Sequence, residues 1–572
     1  MKNELDVQRR ILNRFSIFFV TVAAILMFVT AFHPYLWGPD EPRDAEISRE
    51  TYADGKYVTP HFCGLPFVEK PPLYFWTVAG AFHLTGGPSP EAARCVSVLF
   101  GCLMLAAVGL AGYQTRGGRG AFLAVLLLLG MPQFYRASHW ILLDIALGTF
   151  ITWAAVLFAE RVFFIRSPRF YPVLRFAFWL CCAGAFLTKG VYGIVYIGFI
   201  AGGFILWRRR WDLIREYLFD WTVLGFLLPS ILWIWLFYCD GGSYNLYEHF
   251  VNNTVGRFLH RDFKLPGSPD YYFTDVGNVA PWHFYLGRLP NMFALSLIPG
   301  ICAGAEALLG FFRNRKIHDG VCSVSEEDAH WRLYLRIWFL LPIVLLSLPA
   351  AKEVTYILPG YAALALIGMN WLDRKLSREE VFDPMPAAWV LCVMSLLVLA
   401  AYRMPVKYFI AGTGFLLLFS LILLILACRK RQFAKAVFIV LAGAVCGVAA
   451  GNTPEVMRQT RLNRKCLYEL SLRIWKLAGN RMLYLFAGDE TFRGSIPFYG
   501  GKTTPALKNI PQLLSALKSD AGAGFVFVRQ DFEKLRDRNP ELRREFSRFQ
   551  VHPVSRDGLY DDFVLLLPVA DK

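Results

Sequence analysis

The strongest limit on how this chain can fold is the recurrence of apolar runs about as long as a bilayer is thick. A helix needs roughly 20 consecutive, mostly apolar residues to cross the hydrocarbon. Such runs return from residue 15 to residue 450, at 15–33, 91–113, 119–135, 141–160, 172–188, 190–207, 217–238, 286–312, 332–350, 356–372, 386–402, 406–428 and 434–450. That makes about thirteen candidate spans. With 55% hydrophobic and 16% aromatic residues and a mean hydropathy of +0.39, the expected class is an α-helical integral membrane protein. A net charge of +16 would suggest nucleic acid in a soluble protein. Here the Lys and Arg residues sit mostly in short turns between apolar runs, which is a topology signal and argues against nucleic acid as a partner.

Counting the spans in order, the basic turns at Arg116 and Arg119, 161–175, 208–210, 313–316, Arg374 with Lys375, and 429–431 all fall on the side of Arg9, Arg10 and Arg14. That side is expected to be cytoplasmic, with the N-terminus, and an odd span count sends the C-terminus out. No small-residue cleavage pattern follows the first run, so it reads as an uncleaved helix. The stretch 72–84 is apolar but short, and reads as a helix lying in the interface. From residue 453 the composition becomes that of a soluble domain, with helices expected at 455–476, 511–517 and 531–546 and strands at 482–486, 524–528 and 563–568. The expected organisation is a membrane domain, 1–451, whose first external loop is 34–90, and a small extracytoplasmic α/β domain, 452–572. The latter carries no Gly-rich phosphate fingerprint. The twelve cysteines show no CxxC pair and lie mostly in apolar runs, where they serve packing.

The chemistry concentrates in the loop 37–76, where a short polar turn would have joined two spans. Asp40 and Glu41, followed by Arg43, Asp44 and Glu46, put carboxylates and a cation beside hydrocarbon, where charge is costly and usually functional. Such a cluster can hold a carboxylate as a base for a sugar hydroxyl, with the arginine fixing its geometry. A solvated run capping a helix is the plain alternative. In Glu69-Lys70-Pro71-Pro72 the prolines restrict the backbone so that Lys70 can point at a headgroup phosphate. Asp144 lies near the outer end of its span, on the same expected face as Asp40. Lys70, Lys189, Arg257 and Lys352 run against the positive-inside tendency, either as phosphate-binding groups or as snorkelling cations.

The run PDEPRDAEISRETYADGKYVTPHFCGLPFVEKPPLYFW resembles the first external loop of the bacterial lipid A aminoarabinose transferase family and is similar, more distantly, to protein O-mannosyltransferases. Both are polytopic glycosyltransferases of the GT-C type. Later pieces keep the family order: Leu143-Asp144, Thr188-Lys189-Gly190, Gly256-Arg257-Phe258, and the run from Lys352 to Pro359. The resemblance covers roughly residues 15–370. It implies a transferase taking a sugar from an undecaprenyl (polyprenyl) phosphate carrier at the periplasmic face of the bacterial inner membrane. The acceptor it implies is lipid A or a related envelope lipid or glycan, or a protein as in the mannosyltransferases. By the same resemblance Asp40 is the catalytic carboxylate and Asp144 a second acid near the acceptor. Lys70, Lys189, Arg257 and Tyr356 hold the carrier phosphate, and Arg43 supports the site. Glu69 matches a glutamate that can join a histidine at a divalent metal, Zn or Mg/Mn. The family's histidine position is not a histidine here, and His249, His260 and His283 are the neighbours. No other cofactor is implied.

A transporter or lipid flippase is the reading from a different class. Alternating-access carriers place their charges near the midplane at paired, interrupted helices. Here the charges gather at one face, and no internal repeat is visible.

Overall fold

A computed structural model describes residues 31–165, 167–259, 261, 263, 279–314, 326–376, 418, 422, 433–451, 466–554 and 563–569. Among these, 8 helical stretches are long and apolar enough to cross a bilayer. The expected spans 15–33, 386–402 and 406–428 fall almost wholly outside the described residues. The remaining expected spans coincide with helical stretches, though 286–312 is split between Phe284–Phe293 and Leu297–Asn314, 217–238 is interrupted before Leu224, and 332–350 ends at Leu346.

The runs 91–113 and 119–135 belong to one hairpin, Pro90–Leu129 (α3), capped at its start by Ser89, whose hydroxyl accepts from the Ala92 amide at 3.1 Å. Arg116 and Gly117 leave helical geometry, Gly117 with φ +65°. A β-carbon on Gly112 would lie 2.7 Å from the Gly120 carbonyl oxygen, and one on Gly109 would lie 3.4 Å from Val125. Residues that far apart along one continuous helix would be separated by roughly 12 and 24 Å, so the chain reverses at Gly117. The second arm also ends earlier than expected, at Leu129. Pro132, which lacks an N–H for the helical ladder, starts a separate helix, Pro132–His139 (α4).

The membrane part continues through Leu143–Ala159 (α5), Tyr171–Lys189 (α6), Val191–Arg208 (α7) and Leu224–Tyr247 (α8). Leu297–Asn314 (α9), Glu326–Leu346 (α10), Leu358–Lys375 (α11) and Phe433–Gly451 (α12) follow. Helices α3, α5 and α11 pack on one another through side chains such as Leu127, Ile145, Leu366 and Met369, all with 2% exposure or less. Helix α8 instead turns Leu228, Ile231, Leu232 and Trp235 outward, each more than half exposed, the face a bilayer would cover.

Between the first span and α3 lie two helices, Asp40–Asp54 (α1) and Leu73–Thr85 (α2), joined through a two-stranded ribbon, β1 (His61–Phe62) and β2 (Leu65–Pro66). Asp40 and Glu41 in the first turn of α1 suit the positive end of the helix dipole, and Gly55, at φ +67°, ends it. Helix α2 buries Tyr74, Phe75, Val78 and Phe82 and packs against α1 and α3.

Among the described residues, the first helix of the C-terminal unit is Tyr468–Ala478 (α13), and the unit holds a five-stranded sheet. Its strands are β3 (Leu483–Phe486), β4 (Ala506–Leu507), β5 (Gly524–Val528), β6 (Phe549–Val554) and β7 (Phe563–Pro568), in the order β4-β3-β5-β7-β6. Strands β4, β3 and β5 are parallel, while β7 and β6 are antiparallel to their neighbours. Strands β4 and β6 are absent from the sequence expectation. The first is two residues long, and the second is an edge strand whose Pro553 weakens the strand signal. The helix expected at 531–546 is two, because Asn539 and Pro540 cap and restart it.

Helix Glu490–Gly500 (α14) joins this unit to the membrane part by lying on α1. Tyr499 donates to the Pro34 carbonyl at 2.7 Å and accepts from the Leu36 amide at 2.9 Å. The two helices touch backbone to backbone, since a β-carbon on Gly494 would lie 2.3 Å from the carbonyl carbon of Pro42. Gly494→Val therefore forces the helices apart, at an overpacking cost of about 1–3 kcal/mol. The expected outcome is a lower thermal unfolding midpoint in detergent.

Candidate active site

Helix α1 is polar along almost its whole length and yet buried, so its charges must find partners. Glu41 is fully buried and meets the equally buried Arg94 of α3 through bonds of 2.8 and 3.0 Å. The same carboxylate accepts from the amides of Trp37 (2.7 Å) and Ile141 (2.9 Å), while Arg94 also donates to the carbonyls of His33 and Tyr35. Glu46 takes both arms of the Arg49 guanidinium at 2.7 Å, and Glu50 accepts from the Gly64 amide. Arg49 also donates to Thr503 of the C-terminal unit at 3.1 Å.

Arg43 is a hub. It reaches Asp44 at 2.9 Å, Asp40 at 3.0 Å and Glu490, at the start of α14, at 2.7 Å. The Asp40 side chain remains 46% exposed, so a reactant can reach it. Burial pushes its pKa up, but Arg43, Lys70 and Lys189 together outweigh this and hold the carboxyl below its usual range. The neighbouring Asp44 goes the other way: it is fully buried, and desolvation raises it despite Arg43 and Lys70. These two carboxyls, one helical turn apart, thus differ in proton affinity because three cations prevail over burial at Asp40, while burial prevails at Asp44.

Beside this cluster lies a cavity of about 450 Å³. Glu69, Lys70, Lys189, His249, Arg257 and Tyr356 line its charged end, and Val195, Phe199, Phe258, Leu345 and Leu346 are among those lining its apolar part. Of the residues expected to bind a carrier phosphate, Lys70, Lys189, Arg257 and Tyr356 therefore share one cavity. Lys189 forms an ion pair with Asp144, and its ammonium sits 4.4 Å from the Tyr356 ring centroid. Arg257 pairs with Glu69 at 2.8 Å. Lys70 has no ion pair among the described residues; burial, and next Arg43, lower its pKa. Asp40, Arg43 and Asp144 do not line the cavity; Asp40 joins it through the charges of Lys70 and Lys189, and Asp144 through its ion pair. Lys352 is turned to the carbonyls of Ala280 and Pro349 and lies outside the cavity lining.

The donor set does not suit a metal. Among the described residues no three His, Cys, Asp or Glu side chains are grouped to hold one. Glu69 is engaged by Arg257, and His249 is fixed through Nδ1 to the Val68 carbonyl at 2.9 Å, leaving Nε2 buried without a hydrogen bond among the described residues. Two protein donors, one of them ion-paired, fall short of the three that a catalytic zinc uses. His260 lies outside the described residues.

Arg94 and Glu490 escape the sequence reading. A cation inside an apolar run was a usable signal for Arg94. Nothing local marks Glu490, which meets Arg43 across 447 residues of chain.

Comparison with known proteins fits this geometry. The family described as dolichyl-phosphate-mannose-protein mannosyltransferase matches residues 69–235. An undecaprenyl phosphate-alpha-4-amino-4-deoxy-L-arabinose arabinosyl transferase of Aeromonas hydrophila is 30% identical over 381 residues, 64% of this chain and 62% of the relative. Its counterpart in Aeromonas salmonicida is 28% identical over 383 residues, 64% of this chain and 61% of the relative. The chain thus spans about three fifths of the length of the curated relatives it matches. The crystal structure of ArnT from Cupriavidus metallidurans bound to undecaprenyl phosphate superposes with a TM-score of 0.72 at 20% identity, covering 98% of this chain and 99% of that one. The resemblance read from the first loop is borne out, and so is the fold class: a multi-pass helical membrane protein of the GT-C type.

The Glu41–Arg94 pair yields a direct test. Removing one partner of a buried ion pair leaves an uncompensated charge, at a cost of about 3–5 kcal/mol. Arg94→Met is expected to lower the unfolding midpoint in detergent far more than Lys518→Met, which removes an exposed pair with Glu541.

Proposed function

We propose that this protein is a glycosyltransferase that takes a sugar from a polyprenyl phosphate carrier and delivers it to an envelope lipid. The donor sugar that the relatives support is 4-amino-4-deoxy-L-arabinose, and the acceptor is lipid A. The observation that carries the reading is the cavity that joins Lys70, Lys189, Arg257 and Tyr356 to an apolar wall. A lipid phosphate has the same two-part chemistry. The site and the C-terminal domain, 452–572, face the periplasm in this reading, and the N-terminus faces the cytoplasm.

The chemistry needs no nucleotide. An acceptor oxygen attacks the anomeric carbon, the bond from that carbon to the carrier phosphate breaks, and the lipid phosphate leaves with the electron pair. Lys70, Lys189 and Arg257 stabilise the charge that grows on the leaving oxygen. Lys70 is the cation whose charge the donor completes, since Lys189 and Arg257 already have carboxylate partners. Asp40 is ionised at neutral pH and takes the acceptor's proton. Arg43 holds that carboxylate in place, and Asp144 orients Lys189. Clustering of these charges at one end of the helices disfavours a carrier working across the midplane.

Three outcomes are expected. Lys70→Ala weakens undecaprenyl phosphate binding by about tenfold or more, the size of a lost charge-assisted contact. Asp40→Asn binds it as the parent does but loses transfer, by about a hundredfold or more in a reconstituted assay. Retention of full transfer by Asp40→Asn would sink the catalytic assignment. The third outcome concerns pH. With the Arg43 charge removed in Arg43→Gln, burial raises the Asp40 pKa, so the acid limb of kcat/KM moves to higher pH than in the parent.

A further inference from the structure

Arg136 feels the charges of Asp40 and Glu41 without lining the carrier cavity. It lies in the last turn of α4, between the hairpin α3 and the span α5, and its guanidinium carbon sits 3.7 Å from the centroid of the Trp140 ring. The platform is rigid. The Trp140 amide donates to the Arg136 carbonyl at 3.0 Å, and the ring is buried among Trp37, Leu142 and Cys466. Stacking uses the face of the guanidinium and leaves its N–H edges for a planar acceptor.

Among the described residues no carboxylate lies within ion-pair distance of those edges. The carboxylates acting on Arg136 are Asp40 and Glu41, and both have other partners: Asp40 has Arg43, and Glu41 has Arg94. A half-buried fork held near the proposed base is therefore available to an anion. The carrier phosphate is already supplied with Lys70, Lys189 and Arg257 in a cavity that Arg136 does not line. The remaining reactant is the acceptor. An anionic acceptor would be repelled by Asp40, and a cation on the approach offsets that repulsion.

We propose that Arg136, stacked on Trp140, forms the acceptor subsite and reads a phosphate on the lipid headgroup that receives the sugar. This rests on the reading of the chain as a polyprenyl-phosphate-dependent transferase. Trp140 places the subsite on the external loop adjoining α5, where a headgroup, rather than an acyl chain, reaches it.

The test uses the full chain in detergent, with undecaprenyl phosphate-linked 4-amino-4-deoxy-L-arabinose saturating and lipid A varied. Arg136→Gln is expected to raise the acceptor KM about tenfold, with the donor KM unchanged and Arg136→Lys recovering part of the loss. Inorganic phosphate should compete with lipid A in the parent and much less in Arg136→Gln. An unchanged acceptor KM overturns the inference, as does a donor KM that rises in step. Loss of undecaprenyl phosphate binding in Arg136→Gln also overturns it, since that marks a structural role. If the parent glycosylates a neutral peptide hydroxyl instead of lipid A, the acceptor subsite is wrong while the donor reading stands. If the parent transfers sugar to neither, the donor reading itself fails, and the subsite with it.

Discussion

Burying charge is the constraint on which the rest of this structure depends. Helix α1 carries Glu41, Arg43, Asp44, Glu46, Arg49 and Glu50 into a region with little or no solvent contact. Desolvating each of these ions would cost several kcal/mol if it were left alone. The partners come from far along the chain. Arg94 enters from α3 and Glu490 from α14, while Gly64 and Thr503 complete the pairs around Glu50 and Arg49. The charged stretch of α1 can therefore be a buried helix only when the hairpin α3 and the C-terminal unit are both in place. Gly494 and Tyr499, which bring α14 against α1 and the chain before it, belong to the same requirement.

The same rule shapes the cavity. Lys189 and Arg257 sit beside an apolar wall, paired with Asp144 and Glu69. Pairing offsets the cost of placing these charges beside an apolar wall. Lys70 is left without a carboxylate partner among the described residues, and Asp40 is left partly exposed. The unpaired ammonium and the exposed carboxylate are where a negatively charged lipid and its reaction partner would complete the electrostatics. Arg136, among the described residues, likewise has an aromatic face in place of a carboxylate.

Much of this was legible in the sequence for simple reasons. Spans declare themselves by length and apolarity, because the bilayer imposes a fixed thickness. Strands β5 and β7 coincide with the expected runs at 524–528 and 563–568, where a short, purely apolar run lies between polar breaks. The hairpin was read as two spans because Arg116 and Gly117 interrupt the apolar pattern, and the reversal at Gly117 agrees with that. The early stop of its second arm was missed, because Met131 and Pro132 continue the apolar pattern while the proline ends the ladder. Lys70, Lys189, Arg257 and Tyr356 could be marked as one group because their motifs keep a known order, and each is polar where the membrane disfavours it.

What the sequence determined by itself is the solvent of each segment, the run of helices, and the residue types able to handle a lipid phosphate. Those properties are local, set by composition and spacing within about twenty residues. Tertiary structure alone decided which charges meet. It made α1 a buried helix instead of a solvated loop, gave Arg43 a partner 447 residues away, separated the proton affinities of Asp40 and Asp44, and held Arg136 against Trp140. Ion pairing and desolvation depend on distances of a few ångströms between segments remote in sequence, and nothing in the order of residues encodes those distances until the helices pack.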